Sequence, residues 1–316
     1  MPMVARDDAA NLHVVYGAGD SIMYSSSVDH GESFSTPVLI DLLPNLAASH
    51  MRGPQIAATA TGITVIASDK PGNIFSYHKD ASGKWSEPVK VNDIDTVSKE
   101  GLMALAADGQ TAFAAWLDLR DKHNKIVGAK STDGGKTWSK NIIVYASPDT
   151  TVCECCKPSV AVKGERVYVM FRNWLQGNRD LYLIESADAG SSFGIAKKLG
   201  NGSWALNGCP MDGGGLTINN KNIPETVWRR KSNIYACEPD QPEVSIGEGK
   251  SCTIESVNGK NVYAWTENGE VMVRKPQGMK VNLGKGQLPI VKYTSNERVV
   301  CVWETGKQIH AALVGL

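Results

Sequence analysis

The stretch Ser27-Val-Asp29-His-Gly31-Glu-Ser33-Phe34 decides the architecture because it returns along the chain. It reappears as Ser131-Thr-Asp133-Gly-Gly135-Lys-Thr137-Trp138 and as Ser186-Ala-Asp188-Ala-Gly190-Ser-Ser192-Phe193, with a weaker copy at Asp80 to Trp85. The closing aromatics Phe34, Trp85, Trp138 and Phe193 stand 51, 53 and 55 residues apart, a period that fits one four-stranded unit each. Each residue type has a physical job. Asp and Ser side chains bond turn amides, Gly supplies a positive φ, and the aromatic is expected to tuck under the turn and lock its hairpin.

Working outward, apolar runs open at Met3, Pro54, Leu102, Pro158, Met211, Cys252 and Pro289, and each predicts an inner strand. Most lead through a Gly or Asn turn into a second run with an aromatic, such as Ala112-Phe-Ala-Ala-Trp116, Val167-Tyr-Val-Met-Phe171 and Val262-Tyr-Ala-Trp265. The octet resembles the Asp-box, or bacterial neuraminidase repeat, of the sialidase-like β-propellers. That resemblance implies an all-β propeller of four-stranded blades, with residues 1–316 as a single domain. Seven units are counted and six is the alternative, six being the usual number in sialidases. The last unit stops at His310-Ala-Ala-Leu-Val314 without an outer strand.

Composition narrows the function classes. Lys+Arg and Asp+Glu each number 33, so the formal net charge is +0, which argues against a basic nucleic-acid footprint and a polybasic membrane anchor. No apolar run approaches the roughly 18 residues of a membrane helix. Met1 to Ala10 has no basic segment followed by an apolar one, so the expected periplasmic or extracellular location requires a leader already removed.

In a propeller the turns between third and fourth strands share one face, here called the bottom, and carry the octets. The inter-blade connections and the second-to-third turns share the other. Three of the seven cysteines, Cys153, Cys155 and Cys156, sit within four residues in one such connection, and Cys209 lies in the next. These four are expected to converge on the top face with Glu154, Met211 and Asp212 close by. Two readings stay open. One is a disulfide cluster pinning two loops of an exported protein, with no metal at all. The other is a soft-metal site of Cys153, Cys155, Cys156, Cys209 and Met211 in a redox or metal-handling role, copper favoured and zinc the alternative. The Cys-x-Cys-Cys order is read as distinct from the Cys-x-x-Cys pair of zinc ribbons and thioredoxin-like sites. Cys252 is a further candidate for the cluster, and Cys301 reads as a buried small hydrophobe.

The family resemblance implies a third possibility, a glycoside hydrolase acting on anionic sugars. Sialidases carry an Arg-Ile-Pro motif, an arginine triad for the substrate carboxylate, an Asp acid and a Tyr nucleophile. Met51-Arg52-Gly53-Pro54 matches that motif in part, with Gly in place of Ile. Arg52, Arg172 and Arg229 are the candidate triad, Asp118 or Asp69 the candidate acid, and Tyr293 stands late enough to suggest the nucleophile. A non-catalytic platform for a small-molecule, glycan or protein partner is the remaining reading, with Trp116, Trp174, Trp204 and Trp228 as top-face aromatics.

Overall fold

The computed structural model describes residues 1–294 and 297–316, and every regular element among them is a β-strand. The strands form seven antiparallel sheets, each ordered as its strands follow in sequence. The blades span residues 3–42, 55–90, 103–145, 159–198, 215–248, 250–285 and 287–315. The innermost strand of each blade touches that of the next, and the seventh touches the first, so the ring closes as a seven-bladed propeller.

Blades 1 to 6 have four strands, and blade 7 has three described strands, Gln287–Tyr293, Arg298–Thr305 and Gln308–Gly315. Among the described residues no strand is exchanged across the closure. Blade 7 is joined to blade 1 by apolar packing of Val4, Leu12 and Val14 on Val300 and Val302, with Phe34 and Leu313 against them.

The core lies between blades. Thr111–Asp118, the second strand of blade 3, is buried along nearly its whole length because both its faces are covered by neighbouring sheets. Its sequence alternates Ala with Phe113 and Trp116, so large rings enter spaces left by small residues. Gly128 opposite is one such space, since a Cβ there would sit 2.5 Å from the Phe113 ring.

The octets form a repeated turn. In the first, Ser27 Oγ donates to Asp29 Oδ1 (2.7 Å), the Gly31 amide donates to Ser27 Oγ (2.8 Å), and the Ser33 amide donates to Asp29 Oδ1 (3.0 Å). Ser131, Asp133, Gly135 and Thr137 repeat these bonds, as do Ser186, Asp188, Gly190 and Ser192. The glycines have φ of 93°, 86° and 82°, the left-handed region that the turn demands.

The closing aromatic does something other than lock its own hairpin. Trp85 packs edge-on against Tyr24 of blade 1, Trp138 donates its indole N–H to Ser76 of blade 2 (2.8 Å), and Phe193 leans on Phe113 of blade 3. Each ring thus reaches back to the preceding blade, where an apolar surface needs cover that its own two-stranded turn cannot supply.

Candidate functional site

The strands Arg166–Leu175 and Asn178–Ser186 of blade 4 form the longest hairpin of the ring. The two neighbouring connections zip onto its two sides, Val152 bridging to Asn173 and Ala205 bridging to Asn178. Loops distant in sequence are thereby brought together over one hairpin. Their close fit is fixed by Gly213, where a Cβ would meet the Lys157 carbonyl oxygen at 2.0 Å.

The cysteines meet at this junction. Cys155 and Cys209 form a disulfide across a sequence separation of 54, their Cα atoms 6.1 Å apart. Cys153 and Cys156 are free and buried. The Cys153 Sγ lies 3.8 Å from the Cys155 Sγ and 3.5 Å from the Cys156 Sγ, and the sulfurs of all three residues lie within 4.8 Å of one another. Cys153 and Cys156 therefore behave as a Cys-x-x-Cys pair nested in the run, a spacing that the Cys-x-Cys-Cys reading passes over. Cys209 is exposed, so the disulfide faces solvent at one end and the thiol pair at the other.

Arginines frame the sulfurs. Arg179 Nη1 donates to Cys153 Sγ (3.1 Å) and reaches Glu154 (3.5 Å), while its guanidinium stacks 4.8 Å above the Trp174 ring. The hydrogen bond with Cys156, helped by the Arg179 and Arg172 charges and opposed by burial, holds the Cys153 thiol well below its usual range. Burial pushes Cys156 the other way. Sequence reasoning left Arg179 without a role. Its only local signal is the cross-strand register with Trp174, because its sulfur partner lies 26 residues away in another loop.

The candidate arginines are occupied within the chain. Arg172 is only 2% exposed and donates to the carbonyls of Arg179 (2.7 Å), Arg229 (2.9 Å) and Asp212 (3.2 Å). Arg229 donates to the carbonyls of Lys231 (2.5 Å) and Pro210 (3.4 Å), and both guanidinium groups lie 5.5 Å from the Trp204 ring. Arg52 is elsewhere, bonding the Glu100 carbonyl (2.6 Å) and carboxylate (3.3 Å). Arg172 and Arg229 are thus brought together, without Arg52.

The carboxylates expected as acids face inward. Asp118 is fully buried and accepts from the Trp116 indole (2.8 Å) and from Arg120 (2.8 Å). Asp69 accepts from the Gly72 and Asn73 amides, both at 2.7 Å, which makes it a turn brace. Tyr293 ends its inner strand at the bottom of the ring, under the Arg6 guanidinium. Of the four tryptophans only Trp174 is open to solvent, at 36% exposure.

The neighbours of Cys209 point in opposite directions. Met211 is exposed with φ of 49°, whereas Asp212 is buried and its Oδ2 accepts the Ser251 amide (2.8 Å). Burial raises the Asp212 carboxyl, against the pull of Arg172. Cys252 packs with Val227, Ile254 and Trp265 instead of joining the sulfurs, and Cys301 is a core residue of blade 7. Gln55, Lys157, Asp212 and Ser251 line the central channel, a cavity of about 440 Å³.

The chain matches no family model and no curated protein sequence. Solved structures share its fold. The BP39L lectin from Burkholderia pseudomallei superposes with a TM-score of 0.71 at 11% identity, covering 99% of this chain and 95% of the lectin. A leech intramolecular trans-sialidase gives 0.51 at 12% identity over 100% of this chain and 68% of that one. An ulvan lyase gives 0.55 at 9% identity, with coverage of 99% and 91%. At these identities the likeness establishes a propeller fold of the sialidase and lectin type, and nothing of the chemistry.

Proposed function

We propose that the chain is an exported Asp-box propeller whose cysteine junction binds Cu(I) in a redox or metal-handling role. The observation that carries this reading is the buried convergence of the Cys153, Cys155 and Cys156 sulfurs within 4.8 Å, with Arg179 set against Cys153. Soft thiolates favour Cu(I), which accepts few ligands, whereas structural zinc wants a closed set of four N or S donors. With Cys155 and Cys209 bonded to each other, Cys153 and Cys156 remain as thiolate donors, a number that favours copper over zinc. Arg179 and Arg172 offset the charge of a bis-thiolate centre, and exposed Met211, two residues beyond Cys209, is assigned the role of a weak thioether donor. A disulfide between two surface loops supports an oxidising compartment.

The test is to load metal-free protein with Cu(I) under a competing chelator and to count copper against free thiols. One copper per chain is expected, lost in Cys153→Ser and in Cys156→Ser, with zinc removed by the same chelator. Absence of stoichiometric copper in protein whose Cys153 and Cys156 are shown to be free would sink the reading.

Exposed Trp174, stiffened by Arg179 beneath it, supports a second reading in which the same rim binds a glycan by ring stacking. Arg172 and Arg229 then act as loop braces and not as carboxylate ligands. A glycan array answered by wild type and lost in Trp174→Ala would establish this binding. Turnover of a fluorogenic sialoside would instead restore the hydrolase.

A further inference from the structure

We propose that Cys153, Cys155, Cys156 and Cys209 form an intramolecular thiol–disulfide exchange centre, in which the bond moves between the outer pair Cys155–Cys209 and the inner pair Cys153–Cys156. The proposal concerns the cysteines of the copper site but does not depend on metal binding.

The arrangement around the disulfide carries it. The free thiol of Cys153 lies against the disulfide, 3.8 Å from the Cys155 Sγ and directly beside the Cys156 Sγ at 3.5 Å. The other free cysteines, Cys237, Cys252 and Cys301, lie in separate apolar clusters between or within blades. A cationic donor is in place, since Arg179 Nη1 contacts the Cys153 sulfur at 3.1 Å and stabilises negative charge on it. The far end of the disulfide belongs to an exposed residue, so attack on Cys155 releases the sulfur of the exposed partner, Cys209. Gly208 lies just before Cys209, with room for a Cβ of its own, and gives the exposed end of the loop latitude to move once the bond is broken.

The exchange balances within the chain. The Cys153 thiolate attacks the Cys155 Sγ, forming Cys153–Cys155 and breaking Cys155–Cys209, whose electron pair leaves on Cys209. The Cys156 thiolate then attacks the Cys153 Sγ, forming Cys153–Cys156, and the pair leaves on Cys155. Two electrons pass from the inner dithiol to the outer pair, and two protons follow through solvent. No external oxidant is needed. In the product state Cys209 is a free surface thiol, suited to a small thiol or a dithiol protein that exchanges with exposed sulfur, and the two copper donors are withdrawn as a disulfide.

The experiment incubates metal-free native protein with excess maleimide, without reductant, and maps alkylated and bridged cysteines by mass spectrometry over time. Alkylation at Cys209 is irreversible and captures each opening. Labelling of Cys209 is expected to rise together with a Cys153–Cys156 bridge, and to be lost in Cys153→Ser. In Cys156→Ser the bridge should stop at Cys153–Cys155 while Cys209 is still labelled. An unlabelled Cys209 in native protein, or equal labelling in Cys153→Ser, overturns the proposal. With chelator present throughout, either result leaves the copper reading to its own titration.

Discussion

The two faces of the ring are built on opposite plans. At the bottom, a short segment satisfies its own polar groups through Asp, Ser and Gly at fixed offsets, and its aromatic covers the blade before it. At the top, the connections have no such internal code. Their carbonyls are satisfied from a distance by guanidinium groups, as when Arg172 bonds three carbonyls from three chain segments. The difference teaches that the octet turns are a repeated local solution, and that the junction over the blade 4 hairpin is a single non-local one held by a disulfide and arginines.

The sharpest way to break this contrast is to attack the bottom at its inter-blade contact. Phe113 is fully buried, receives Phe193 from the next blade and fills the space above Gly190. Phe113→Ala is expected to cost about 3–5 kcal/mol, the range for emptying a buried aromatic site. Urea unfolding should show the whole transition shifting, because the ring shares its core around every blade. A loss confined to one blade would mean that the bottom contacts are as local as their hydrogen bonds.

The complementary attack on the top should be smaller and confined. Cys209→Ser opens a loop of 54 residues' separation, for which about 2–4 kcal/mol is the usual cost. Hydrogen exchange should rise in residues 146–157 and 199–214 and stay unchanged in the octet turns. Spread of the effect to the bottom would contradict a clasp that ties only two loops. The exchange centre adds a distinction, because Cys153→Ser, which keeps the outer disulfide, should leave these loops protected.

These regions also differ in how far the chain reveals them. Residues at 2, 4 and 6 positions after Ser27 fix a turn by themselves, so the repeat and its seven inner strands were legible from spacing, and the propeller from the resemblance that the repeat carries. The three described strands of blade 7 agree with a last unit read without an outer strand. The aromatic's target was not legible, since Phe193 meets Phe113 only once two blades stand side by side. In the site, the clustering of Cys153, Cys155 and Cys156 marked the place, and topology put Cys209 in the adjoining connection. Which sulfurs bond was beyond reach, because that depends on how two loops close on the blade 4 hairpin. Asp118 and Arg172 show the same limit. Their positions placed them at the top, but only packing shows that Asp118 turns inward to Trp116 and that Arg172 is spent on carbonyls.

The smallest effect tests the bottom turns through pH. The Ser33 hydroxyl and amide, with Ser27, hold the Asp29 carboxyl well below its usual 3.8. Ser192 and Ser186 hydroxyls do the same for Asp188. A carboxyl depressed in the folded state contributes stability that is complete above its unfolded pKa and is lost as pH falls toward its folded one. The share of stability that these two carboxylates contribute should therefore be level from neutral pH to about 5 and decline from about 4 downward. The double variant Asp29→Asn, Asp188→Asn keeps a side-chain acceptor but takes up no proton, so its decline over that window should be shallower. Both carboxylates sit at the surface, where solvent weakens their hydrogen bonds, so the difference is one of slope and not of fold. Denaturant midpoints at steps of pH between 2 and 6 measure it. Parallel curves would show that these turns are held by backbone geometry, with the carboxylates contributing nothing that a neutral amide does not.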